Sequence, residues 1–307
     1  MSATPTLAPW FRLLRLPNLL TVPGDPVAGA LLAAAAVSRA PSASAVAAVA
    51  GTSLCLYAFG LILNDLMDIE TDRAERPDRP LPSGEIPVPQ ARMAAIVIAL
   101  AGLNLALIAG RPALHAAAVL AVLIILYNGG AKRIPVVGAL TMGLCRGMNL
   151  VLGALALGAP AAVGQWLPVL LAAVGLTLYV AAFSALAAHE MATEKPQGAL
   201  RWLPFAALFI VLPAVLVAST VQHPPQTLLP VAYVFLMIMT LMRAWLLGGV
   251  MYQLQPVSAT IGGHIRNLLM VQACFCLAAG LRGLLPALFF VLLTCIFPRL
   301  AARFYSS

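Results

Sequence analysis

Long apolar runs follow one another along most of this chain, separated by short polar stretches. They fall at roughly 18–38, 43–66, 93–111, 112–129, 135–158, 166–188, 202–221, 227–249, 264–281 and 284–299. Most approach the roughly 20 residues that a helix needs to cross a hydrocarbon core about 30 Å thick. The runs are continuous and rich in Ala, Leu, Val and Gly, whereas a membrane β-barrel would show short alternating segments. The pattern therefore predicts an all-α, polytopic transmembrane bundle of nine or ten helices. The count depends on whether the last two, shorter runs make two spans or one broken one. No polar stretch is long enough to build a second domain, so residues 1–307 are read as a single integral-membrane domain. Pro23, Gly24, Pro26 and Gly29 interrupt the first run, as such residues often do in packed membrane helices.

Composition agrees with the pattern. Apolar residues make up 62% of the chain and charged residues 9%, against about a quarter charged in a soluble domain; the mean hydropathy is +0.97. The formal charge of +8 does not require nucleic acid, because the basic residues lie in loops between apolar runs. Arg73, Arg76, Arg79 and Arg92 follow the second run, Lys132 and Arg133 the fourth, and Lys195 and Arg201 the sixth. The intervening loops hold only Arg39, Arg111 and His223. The positive-inside rule then puts the basic loops and the N-terminus in the cytoplasm. Arg12 and Arg15 precede the first run without a cleavable signal pattern, so that run is expected to stay as a membrane helix. Cys55, Cys145, Cys274, Cys276 and Cys295 sit inside apolar runs, form no CxxC pair and read as packing residues.

One stretch does not suit a generic bundle. Asn64-Asp65-Leu66-Met67-Asp68-Ile69-Glu70-Thr71-Asp72 leaves the second run and is followed by Arg73, Arg76 and Arg79. If the helix continues to position 72, Asn64, Asp68 and Asp72 advance only about 40° per step and line one face. Asp65 lies near the same edge. Such carboxylates repel one another unless a cation sits among them. Hard oxygen donors of this kind suit Mg²⁺, which takes one or two carboxylates together with waters and substrate phosphate oxygens. The following arginines can offer guanidinium forks to the same phosphates. The plainer account of a charge run is a solvated loop held by its own ion pairs. The four-residue spacing and the emergence from a span favour the metal.

Asn64-Asp65-x-x-Asp68-x-x-x-Asp72 resembles the first aspartate-rich motif, NDxxDxxxD, of the UbiA superfamily of intramembrane prenyltransferases, and Arg79-Pro80-Leu81-Pro82-Ser83-Gly84 resembles its continuation. The resemblance implies the UbiA-type helical fold and transfer of a prenyl group from a prenyl diphosphate to a small polar or aromatic acceptor. It further implies Mg²⁺ held by Asn64, Asp65, Asp68 and Asp72. By the same resemblance, Tyr179 through Glu194 corresponds to a second acidic motif, usually DxxxD. Here Glu190 and Glu194 keep the four-residue spacing as glutamates, and His189 adjoins them. They are expected as a second metal site, with His189 as a base or acceptor-binding group if the site has changed purpose.

Arg146 and Asn149 lie three apart within the fifth run. An arginine inside a span is costly and by default marks an inward-facing functional site. Asp68, Asp72, Glu190 and Arg146 are thus the expected catalytic residues. Asn18, Asn64, Arg73, Arg79, Lys132, Asn149, Tyr179 and His189 are expected to bind substrate. The fifth run and the altered second motif resemble the Ebo-type branch of UbiA-like proteins, which implies a cyclitol-like acceptor and, with the absence of targeting signals, a bacterial inner membrane. Two rival functions fit the same features: a UbiA-like terpene cyclase, and a transporter or binding protein for a prenyl lipid. Internal repeats, common in transporters, are not visible in the chain.

Overall fold

A computed structural model describes residues 7–158, 162–189, 195, 198–222 and 228–305. The chain opens with two short helices, α1 (Ala8–Leu13) and α2 (Leu16–Leu19), then α3 (Gly24–Ala36) and α4 (Ala43–Met67). The amphipathic turn α5 (Ile69–Glu75) leads to the hairpin of α6 (Val88–Ala109) and α7 (Arg111–Gly129), then α8 (Pro135–Leu155) and α9 (Leu167–Ala187). The second half comprises α10 (Leu203–Gln222), α11 (Leu229–Gly248), the single-turn α12 (Val250–Leu254), α13 (Val257–Ala278) and α14 (Leu284–Tyr305).

Eight helices among the described residues are long and apolar enough to cross a membrane, and α3 is a shorter apolar helix. With α14 they meet the nine or ten spans expected. Leu107, Ile108, Val136, Phe209, Ile210, Val221 and Phe235 are among the large apolar side chains left exposed. In water they would be a liability, and they mark the surface that faces lipid. Two apolar cores fill the interior. One centres on Val49, Leu56, Ile62, Ala117 and Leu120 of α4 and α7, and the other on Leu176, Val215, Leu269 and Phe275 of α9, α10 and α13.

Three sequence expectations change in detail. The first apolar run is not one helix: it breaks between Leu19 and Gly24, where Pro23 and Pro26 remove backbone donors. The second helix stops at Met67, and Asp68 (φ −98°, ψ 6°) joins it to α5. Hydrogen bonds from Asp68 N to Asn64 O (3.0 Å) and from Asp72 N to Asp68 O (2.8 Å) nonetheless keep the four-residue step across the joint. The ninth run begins earlier than its hydropathy suggests, at Val257. Thr260, His264, Asn267 and Gln272 dilute its apolar signal, and all four are buried against protein.

Small residues set the closest helix contacts. A Cβ at Gly29 of α3 would strike the Leu150 carbonyl oxygen of α8, and one at Gly153 of α8 would strike the Pro26 carbonyl oxygen. The two backbones are held in direct contact, as small-residue faces allow in membranes. Gly153→Val is therefore expected to cost about 1–3 kcal/mol or more through overpacking, read as a lower unfolding temperature in detergent. Gly129→Val, at a position with open space, serves as a control for the added side chain.

Candidate active site

The site begins at the break in the first span. Between α2 and α3 the carbonyls of Thr21 and Val22 lose their helical partners inside an apolar bundle, where unsatisfied backbone costs several kcal/mol. Side chains from three other helices satisfy them. Arg146 Nη2 (3.0 Å) and Gln272 Nε2 (2.6 Å) donate to Thr21 O, while Ser53 Oγ and Asn149 Nδ2 (each 3.2 Å) donate to Val22 O. Asp25, in the first turn of α3 and fully buried, accepts hydrogen bonds from Asn149 Nδ2 at 3.0 Å and Gln272 Nε2 at 2.7 Å and forms an ion pair with Arg146, whose Nε lies 3.1 Å away. Its carboxylate also lies at the positive end of the α3 dipole. Arg146 and Asn149 thus come together as their spacing predicts. Asp25 and Gln272 were not singled out in the sequence, although an acid inside the first apolar run was a readable signal.

Above this network lies a cavity of about 200 Å³ between α4, α7 and α8. Leu56, Tyr57, Leu61, Leu120, Ile124 and Met142 form much of its wall; Arg146 and Asn149 line it at the network, and Arg15 and Asn64 line it toward the acidic end of the bundle. That end carries the acidic motif. Lys132, in the tight turn Ala131–Arg133 after α7, donates to Asp68 Oδ2 at 2.6 Å and to Asn64 Oδ1 at 3.0 Å. Arg79 donates to Asp72 Oδ2 at 2.6 Å and lies 3.9 Å from Asp65 Oδ1. Arg15 Nη2 reaches Asp65 Oδ1 at 3.3 Å. Its backbone holds φ 45°, a left-handed conformation uncommon outside glycine; such strain clusters at functional sites.

The remaining predicted residues are placed as follows. Asn18 is half-buried in α2, with its backbone in the turn that leads to the break. Arg73 pairs with Glu70 at 2.7 Å on an exposed face, away from the Asp68–Lys132 contact. Tyr179 is fully buried in the second half, where its hydroxyl lies 3.0 Å from His264 Nδ1 and accepts from Asn267 Nδ2 at 3.3 Å. His189 contacts the Ala185 carbonyl through Nδ1 at 3.1 Å. Glu190 and Glu194 lie outside the described residues.

No group of three or more His, Cys, Asp or Glu side chains converges into a metal cage among the described residues. A fully protein-built site is not what Mg²⁺ needs, because it keeps waters and shares phosphate oxygens. Asn64 Oδ1 and Asp68 Oδ2 already converge on one cation, the Lys132 ammonium. A carboxylate and an amide oxygen aimed at one cationic point fit Mg²⁺, with Asp72 one turn farther on.

With this geometry in hand, the comparison with known proteins is specific. The family model described as the UbiA prenyltransferase family matches residues 26–259. The chain belongs to that family. Among curated relatives, digeranylgeranylglyceryl phosphate synthase of Ignicoccus hospitalis is 33% identical over 58% of this chain and 58% of its own length. The protein of the same name from Methanopyrus kandleri is 35% identical over 48% of this chain and 50% of its own. The matches thus span about half the length of these relatives. Of solved structures, the apo UbiA homolog from Aeropyrum pernix K1 superposes with TM-score 0.63 at 18% identity, covering 83% of this chain and 96% of that one. A UbiA homolog from Archaeoglobus fulgidus bound to DMAPP and Mg²⁺ gives TM-score 0.55 at 16% identity, over 86% and 99%. At these identities the structures show the shared fold.

The buried network generates a prediction. Arg146→Met leaves the Asp25 charge uncompensated and should destabilise the protein by about 3–5 kcal/mol, the usual cost of breaking a buried pair from one side. Asp25→Leu combined with Arg146→Met removes both charges and should recover part of that loss. Unfolding in mixed detergent, followed by the fluorescence of the four tryptophans, measures both.

Proposed function

We propose that this family member transfers a prenyl group from a prenyl diphosphate to a small polar or aromatic acceptor in a Mg²⁺-dependent reaction. The observation that carries this reading is the convergence of Asn64 and Asp68 on Lys132 at the mouth of an apolar cavity. The diphosphate would meet Asn64, Asp65, Asp68 and Asp72 at the acidic end, while the prenyl chain lies along Leu56, Leu61, Leu120 and Ile124. Bound magnesium would supply Lewis-acid stabilisation of charge on the departing diphosphate.

The chain's own residues would do the remaining work. Lys132, Arg79 and Arg15 hold cationic donors around the same opening, preorganised for the charge that develops as the allylic C–O bond breaks. The bonding pair leaves with the diphosphate, and the electron-poor prenyl carbon is attacked by the acceptor's nucleophilic atom, which then sheds its proton. The apolar wall keeps water from that carbon. Arg146 and Asn149, whose amide Oδ1 has no partner among the described residues, line the far end of the cavity and would orient the acceptor's polar group there. Glu190, Glu194 and His189 are proposed as a second acidic site, and Arg73 as a peripheral contact to the diphosphate. The names of the curated relatives point to a glyceryl phosphate among candidate acceptors. The basic loops support a cytoplasmic face for the acidic end, in a bacterial inner membrane or an archaeal one.

Purified protein in detergent, given geranyl, farnesyl or geranylgeranyl diphosphate, should release diphosphate with Mg²⁺ and acceptor and not with EDTA. Asp68→Ala should lower the rate at least 100-fold, and Glu190→Ala should lower it if the second acidic site is used. Cyclised hydrocarbon formed without acceptor would reassign the protein as a cyclase. Neither release nor Mg²⁺-dependent binding would overturn the prenyl diphosphate reading and favour transport.

A further inference from the structure

The second half of the bundle holds two arginines that the proposed reaction does not use. Arg243 lies on α11 and Arg266 on α13, both half-buried and both within helices that read as membrane spans. The two helices run antiparallel. Asn267 Nδ2 donates to Thr240 O at 3.3 Å, and a Cβ at Gly263 would strike Leu247. This register sets Arg243 level with Arg266 on the facing helix. Arg243 is five residues from the end of α11, or about 8 Å along the axis at 1.5 Å per residue, on the same end of the bundle as the acidic motif.

Neither arginine has an ion pair or hydrogen bond among the described residues. Two like charges placed together within spans, with no carboxylate paired to either among the described residues, carry a cost that an anion from outside the chain would offset. Beside them runs a stripe of buried polar groups on α13. Thr260, His264 and Asn267 fall at steps of four and three, on one helical face, and none has measurable exposure. Thr260 Oγ1, His264 Nε2 and Asn267 Oδ1 each lack a partner among the described residues, and buried polar atoms left unpaired call for a ligand or water. Asn267 of this stripe adjoins Arg266 in the chain and donates to Thr240 O, three residues before Arg243 on α11, so the arginines and the stripe share one helix contact.

We infer that Arg243 and Arg266 form a second anion site, which takes the phosphate of an amphiphile entering from the bilayer, with the α13 stripe as its inner polar wall. Planar guanidinium forks match phosphate oxygens in pairs. The half-burial of both residues beside exposed apolar surface suits a ligand with a polar head and a lipid tail. This site goes beyond the prenyl diphosphate reading and does not depend on it, because it shares no residue with the Asn64–Lys132 cluster.

The test is binding of oleoyl lysophosphatidic acid, a lipid phosphate monoester, to the full chain in detergent by native mass spectrometry, with uncharged monoolein for comparison. Wild type should prefer the phosphate lipid, and Arg243→Gln with Arg266→Gln should weaken its binding at least tenfold. Arg282→Gln, at the opposite end of the bundle, should leave it unchanged. Retention by Arg243→Lys with Arg266→Lys would show that charge, rather than loss of fold, governs the effect. Competition by inorganic phosphate would identify phosphate itself as sufficient, and its failure to compete would assign the site to a lipid-borne headgroup. Equal binding by the double glutamine variant, or equal binding of monoolein, would overturn the inference. Loss of prenyl diphosphate binding in wild type would count against the proposed reaction and leave this result standing.

Discussion

Everything in the first half of this bundle depends on satisfying the broken backbone between α2 and α3. Two carbonyls, Thr21 and Val22, lie within an apolar bundle without helical partners. Arg146, Asn149, Gln272 and Ser53 meet them at 2.6–3.2 Å. The same Arg146, Asn149 and Gln272 hold the Asp25 carboxylate. One polar knot thus joins α3, α4, α8 and α13 where lipid-facing surfaces could give little association. Gly29 and Gly153 let α3 and α8 approach closely enough to close it.

The break also shapes the site. Because the chain turns at residues 20–23, the preceding segment returns Arg12 and Arg15 to the acidic end. Arg12 pairs there with Glu85 and Arg15 with Asp65. Lys132 and Arg79 arrive from other loops onto Asp68 and Asp72. Fixed cations of this kind surround the carboxylates, an arrangement that would let the proposed diphosphate bind with little reorganisation. The cavity below is apolar along its walls and polar at its floor, so it can separate a hydrocarbon chain from a polar reactant.

Much of this was legible in the sequence. Apolar run lengths gave the helical membrane class, and the four-residue spacing from Asn64 to Asp72 survived the joint at Asp68 because the backbone hydrogen bonds continue through it. Arg146 announced itself by its cost inside a span. Other features were hidden for physical reasons. Asp25 stood among prolines and glycines that read as a simple helix break, and its partner Gln272 is distant in the chain. The start of α13 was masked because a helix buried against protein needs no continuous apolar surface, so hydropathy alone undercounts it. Arg73 shared the motif's neighbourhood, but one step along α5 turned it outward to Glu70.

The most direct test of the central claim, that Asn64 and Asp68 define a cation point completed by a diphosphate, is Mn²⁺ binding followed by electron paramagnetic resonance. Mn²⁺ replaces Mg²⁺ in such oxygen sites. Bound Mn²⁺ should appear when a prenyl diphosphate is added to wild-type protein and should be lost in Asp68→Asn. Mn²⁺ binding that is indifferent to the diphosphate, or unchanged in Asp68→Asn, would contradict the account.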